Sequence, residues 1–191
     1  MNTFDPRPQF LKALEQLEKL LSGLDPALLG RPTPCEAYDL RALLSHIVGA
    51  IHRIAYIGEG GRGMDLPATA GAIADTDWAG ALGRARARAA AAWADDEKLD
   101  REFEVPWGTA AGRIALSGYV METVTHTWDI TQVIAPQTEL DQELGDLAFS
   151  IAQKVLPAEP RGGETPFAAV RPVPDDADIH RRLAGWLGRA V

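Results

Sequence analysis

Apolar residues recur every three to four positions through most of the chain, which is the period of an amphipathic helix. Residues 7–23 place Phe10, Leu11, Leu14, Leu17, Leu20 and Leu21 at that spacing and end near Gly23. A loop punctuated by Pro26, Gly30, Pro32 and Pro34 follows. A second helix is predicted from about Tyr38, with Asp39 as first-turn acid or cap. It carries Leu40, Leu43, Leu44, Ile47, Ile51 and Ile54 and stops at the glycines at 58, 60, 61 and 63. Asp75 or Thr76 is placed to cap a third, alanine-rich helix from Trp78 to about Ala94, with Leu82, Ala85, Ala89 and Trp93 facing inward.

The segment 100–109, with Pro106-Trp107-Gly108, reads as a structured loop, and no strand shows convincing alternation. A fourth helix runs from about Gly112 to Ile134 and ends before Pro136. A shorter one spans about 140–155. The proline- and glycine-rich stretch 157–174 is expected to be extended, and Asp175 or Asp176 to cap a final helix through Leu187, closed by Gly188. Four long helices and two short ones predict an all-α chain, an up-and-down four-helix bundle with extra short C-terminal helices. One domain over 1–191 is expected, with 157–191 as an extended tail plus the final helix.

Charge and composition narrow the function classes. With 27 acidic against 19 basic residues and a net charge of −8, the chain lacks the basic surface that nucleic acid or an anionic membrane demands. Cys35 is the only cysteine, so no intrachain disulfide forms. Met1–Pro6 has no cationic segment followed by an apolar run, and no stretch has the length of a membrane span. The cytoplasm is therefore the expected compartment.

The fourth helix carries the candidate chemistry. It is apolar on nearly every side (Leu116, Tyr119, Val120, Met121, Val124, Trp128, Ile130, Val133), the mark of a buried helix. Yet Glu122, His126 and Asp129 fall within a sector of roughly 60°, at about 100° per residue. Desolvating three ionisable groups is costly without a partner, and a metal ion is such a partner. Glu122 and His126, four apart, stand one turn above the other and can chelate one ion. His46, in the middle of the second helix, is the best third ligand, and Asp129 could orient a ligand or act as a fourth. Two histidines and a glutamate suit zinc, with nickel, iron or manganese as alternatives, and leave a coordination position open. The competing readings are a hydrogen-bonded Glu122/His126 pair and a core histidine at 46. Cys35 reads as a small buried residue, with a ligand or reactive-thiol role as the less favoured alternative. His52 is expected to face solvent, and Arg84, Arg86 and Arg88 to be solvated surface.

Two segments carry a family resemblance. Thr33-Pro34-Cys35-Glu36-Ala37-Tyr38-Asp39-Leu40-Arg41, followed by His46, resembles the opening motif of the mycothiol-dependent maleylpyruvate isomerase N-terminal, metal-binding family. That family lies within the DinB-like superfamily of four-helix bundles. Glu122-x-x-x-His126-x-Trp128-Asp129 resembles its second motif. The ending, from Phe167 through Pro172-Val173-Pro174-Asp175-Asp176-Ala177 to Arg182-Leu183 and Leu187-Gly188-Arg189, is similar to the tail of a largely uncharacterised actinobacterial branch. The resemblance implies a divalent cation, usually zinc, held by His46, Glu122 and His126. It also implies a low-molecular-weight thiol such as mycothiol or bacillithiol, activated as thiolate on the metal.

The function so implied is a thiol-dependent transferase or isomerase acting on a small electrophile. The alternative is a non-catalytic, metal-stabilised bundle that binds a small molecule or a protein partner. Expected partners are a small-molecule substrate or thiol, with a homodimer left open. Tyr38 stands where the family usually has tryptophan. The isomerase also carries a further C-terminal domain with no counterpart in this chain, so a retained metal site with its substrate changed or lost is expected.

Overall fold

The computed structural model describes residues 4–161 and 167–191. Gly162, Gly163 and Pro166 of the stretch expected to be extended lie outside the described residues. Six α-helices form: α1 (Arg7–Leu21), α2 (Leu40–Gly58), α3 (Trp78–Ala92), α4 (Gly112–Ile134), α5 (Gln142–Val155) and α6 (Ile179–Trp186). The architecture is the expected all-α, DinB-like bundle. α1 packs on α3 and α4, and α2 packs on the same two, so α1 and α2 face each other across the bundle. α5 and α6 cover the remaining side of α4. Helices on every side of α4 explain why its sequence shows no polar face.

The caps follow side-chain chemistry. Asp39 accepts from the Ala42 N–H at 2.8 Å and starts α2, two residues later than Tyr38. Asp141 does the same for α5 through the Leu144 N–H at 3.0 Å. Each satisfies an otherwise orphaned first-turn amide. Two expected caps are displaced. Asp75 is drawn off by Arg41, and α3 begins after Asp77, whose carboxylate is engaged by Arg84 instead of capping. α6 is capped by Asp178, through the His180 N–H at 2.9 Å, and not by Asp175 or Asp176.

The segment read as a loop is a β-hairpin. β1 (Glu102–Val105) pairs antiparallel with β2 (Gly108–Ala111) around Pro106-Trp107. Phe103 and Val105 are buried while Glu102 and Glu104 are exposed, so the alternation exists but lasts only four residues. Gly108, at φ 130°, supplies the left-handed turn residue. Phe103 packs on Trp93 at 4.9 Å between ring centroids, fastening the hairpin to the bundle.

Leu82, Ala85, Ala89 and Trp93 form the buried face of α3 as the spacing predicts. The arginines of that helix are not free surface charge. Arg84 pairs with Asp77, Arg86 with Glu15 and Glu18 of α1, and Arg88 with Glu59 at the end of α2. His52 is half-buried beside Arg88 rather than solvent-facing, and burial together with the Arg88 and Arg84 charges lowers its pKa. Among the described residues, no helix is long and apolar enough to cross a membrane.

His180 ties α6 to the start of α5. Its ring is buried and its Nε2–H donates to the Asp141 carbonyl at 3.0 Å. Burial holds its pKa below the ordinary histidine value, against the opposing pull of Asp178 and Asp141. The unfolded chain then binds that proton more readily than the folded one. Its contribution to stability is complete above about pH 6.5 and is lost as the pH falls below it. His180→Gln is expected to flatten the fall in unfolding free energy on acidification; urea titrations at neutral and mildly acidic pH that show an unchanged slope would contradict this.

Candidate metal centre

The interior between α2 and α4 holds the ionisable stripe. His46 from α2 and Glu122 and His126 from α4 each present a ligand atom, and the three atoms lie within 4.8 Å of one another. The imidazoles of His46 and His126 meet edge to face, 5.4 Å between centroids. Tyr38, just before α2, stacks on the His46 ring at 5.2 Å and 17°. Its position follows from the tight turn at 33–38, where the Thr33 hydroxyl donates to the carbonyls of Cys35 and Tyr38 at 3.1 and 2.8 Å.

Each histidine is tied back through its Nδ1. In His46, Nδ1 lies 3.1 Å from the Ala68 carbonyl, which only accepts, so Nδ1 carries the proton. In His126, Nδ1 donates to the Asp129 carboxylate at 2.9 Å. Both rings therefore turn Nε2 out as the nitrogen available to ligate, the arrangement typical of metal-bound histidine. His46 Nε2 faces Glu122 Oε1 at 3.0 Å. Burial pushes the Glu122 carboxyl up, but the His46 hydrogen bond and the charges of His126, His46 and Arg53 outweigh it, holding the group below the usual glutamate value. His46 Nε2 is within hydrogen-bond distance of Glu122, and a cation able to displace the shared proton would meet two histidine nitrogens and one carboxylate there.

Asp129 has no solvent exposure. Burial raises its pKa, and the hydrogen bond from His126 together with the Arg189 charge more than reverses this. Arg189 places Nη2 at 3.2 Å from Oδ2 and Nε at 3.4 Å from Oδ1. The polar neighbours on α4 are satisfied within the helix: the hydroxyls of Thr125 and Thr127 each donate to the carbonyl four residues back, at 2.7 Å.

Cys35 is half-buried, and burial pushes its thiol pKa up. With His126 and Asp129 it makes a second group of three convergent donors. That group suits a cation less well, because Asp129 already faces the Arg189 guanidinium and the His126 Nδ1 is already a donor. The sequence did not single out Ala68, and it placed Arg189 only in the tail resemblance, with no role at the site. Ala68 contributes only its backbone carbonyl, which no side-chain pattern can report.

Gly49, one turn along α2 from His46, lets the 68–70 segment cross the helix. A Cβ there would lie 2.5 Å from the Thr69 carbonyl carbon and 2.7 Å from the Ala70 nitrogen. Ser45 and Ala70 clamp the crossing, with Ala70 N–H donating to the Ser45 carbonyl at 2.9 Å. Gly49→Ala is expected to push this strap off α2, at about 1–3 kcal/mol of stability. Because the strap carries Ala68, zinc affinity should fall by roughly 10–100-fold. Zinc titration of the folded variant checks this, and an unchanged affinity would detach His46 from its backbone support.

An all-α bundle enclosing a His/Glu/His triad defines the class of protein. The chain belongs to the mycothiol maleylpyruvate isomerase N-terminal domain family, whose sequence profile matches residues 10–131. Similar proteins include two uncharacterised proteins of Mycobacterium tuberculosis, from strains CDC 1551 and H37Rv. Each is 28% identical over 190 residues, covering 98% of this chain and 99% of the relative. No solved structure matches the chain.

Proposed function

We propose that the protein binds one divalent metal ion, zinc or alternatively nickel, through His46, Glu122 and His126. It would use the ion to activate a low-molecular-weight thiol for transfer to, or isomerisation of, a small electrophile. The observation that carries the metal reading is the commitment of both Nδ1 atoms to Ala68 and Asp129, which leaves the two Nε2 atoms as the ligating nitrogens beside the Glu122 carboxylate. The thiol reading rests on membership of a family described by its mycothiol isomerase. A bound cation with an open position would supply the positive charge that holds a thiol as thiolate near neutral pH.

The chain's own groups then have separate tasks. Ala68 and Asp129 fix the two imidazoles, Glu122 supplies the negative charge, and Tyr38 covers one face of His46. Ile47, Ala50, Ile51, Tyr119 and Thr123 line a small, largely apolar hollow beside Glu122. Tyr119 is buried there, and burial with the nearby Glu122 charge raises its pKa, so its phenol stays protonated.

Zinc-loaded protein incubated with mycothiol and an electrophile such as a haloarene or an epoxide is the test. Conjugate should form faster than in buffer and only with metal present, and Glu122→Gln should abolish the gain. Zinc-dependent thiol binding without conjugation would mean a binding module in place of an enzyme. No metal-dependent effect of the thiol at all would overturn the reading.

A further inference from the structure

The last turn of the chain reaches back into the centre. α6 ends in a Schellman turn: Gly188 N–H donates to the Gly185 carbonyl at 3.0 Å, and Arg189 N–H to the Ala184 carbonyl at 2.9 Å. Gly188 takes the left-handed conformation this turn needs, at φ 82°. The turn reverses the backbone and delivers Arg189 inward, where it is 8% exposed. Ala184, on the same helix, packs with Trp128 and Leu140 beside the α4 stripe.

Resting on the metal reading above, we propose that Arg189 is a positioning residue for the metal centre. It clamps Asp129 so that this carboxylate holds the His126 ring with Nε2 turned to the ion. The geometry is a short relay. The guanidinium addresses both Asp129 oxygens, at 3.4 and 3.2 Å, and the oxygen nearer to it also accepts from His126 Nδ1 at 2.9 Å. A carboxylate without solvent contact has no water to replace the guanidinium, so removing Arg189 strands the charge and frees the carboxylate plane to rotate. A planar fork sets that plane in a way a point charge does not. Arg189 lies well beyond residue 131, where the family match ends, so the relay joins the family segment to the tail.

The test is a double-mutant cycle on the full chain, reading zinc affinity together with the His126 tautomer from imidazole nitrogen NMR in metal-free protein. Wild type is expected to hold the Nδ1–H tautomer. Arg189→Met should mix the tautomers and weaken zinc binding by roughly 10–100-fold, the usual effect of losing an outer support. Asp129→Asn should weaken it similarly, and the double variant should be no worse than Asp129→Asn alone, since both act through one contact. Arg189→Lys, which keeps the charge and loses the fork, should fall between wild type and methionine, and it serves if the methionine variant does not fold. Unchanged zinc affinity and tautomer in the Arg189 variants, or additive losses in the double variant, would overturn the proposal. Absence of zinc binding in wild type would overturn the metal reading instead, and the tautomer measurement would still decide whether Arg189 orients His126.

Discussion

His126→Ala is expected to release the metal: zinc in the purified variant should fall from about one ion per chain to near none, and His46→Ala should do the same. Among the described residues His46, Glu122 and His126 present one convergent ligand atom each, so loss of either histidine leaves two donors of that set. The nearest alternative set shares His126, so it is lost in the same substitution. Stability should follow occupancy. A ligand that binds only the folded chain adds about 2.7 kcal/mol when present at 100 times its dissociation constant. Chelator should therefore lower the melting temperature of wild type and leave His126→Ala unmoved. A chain whose melting point ignores both chelator and added zinc would support the hydrogen-bonded pair instead.

Trp93→Ala is expected to be the most destabilising single substitution in the bundle, by about 3–5 kcal/mol. Trp93 is 2% exposed and closes α3 against α2, donating its indole N–H to the Ile54 carbonyl at 2.9 Å. Gly58 and Gly112 are shaped around it: a Cβ on either would lie 2.7 Å from indole atoms. The truncation opens a cavity where α2, α3 and the hairpin meet, and little can collapse into it because helix backbone surrounds the ring. Urea denaturation measures the loss, and a change under about 1 kcal/mol would mean the site relaxes far more than a close-packed interior does. The resulting fall in melting temperature should be of order 10 °C for a chain of this size.

The helices were legible because burial imposes a period. α4 in particular announced itself: an all-round apolar helix bearing Glu122, His126 and Asp129 on one stripe can only sit among other helices with that stripe matched. His46 was legible through the motif that precedes it and its place on α2. The neighbours of each helix were not, since the same apolar stripes fit more than one ring order. The hairpin was missed because Glu102-Phe103-Glu104-Val105 is too brief an alternation to separate from a loop, although the Pro106-Trp107-Gly108 turn marked its tip. The α6 cap moved from Asp175 or Asp176 to Asp178 because three aspartates sit within four residues and each has the right chemistry. The outer supports were the least visible. Ala68 acts through its backbone, and Arg189 meets Asp129 across 60 residues of sequence, a separation no local periodicity can reveal.

The most direct test of the metal centre is an anomalous-diffraction map at the zinc edge on crystals of zinc-loaded protein. The expected result is one peak per chain between α2 and α4, bonded to His46 Nε2, His126 Nε2 and a Glu122 oxygen at about 2.0–2.2 Å. A map with no peak there, or with its peak on Cys35 and Asp129, would contradict the assignment.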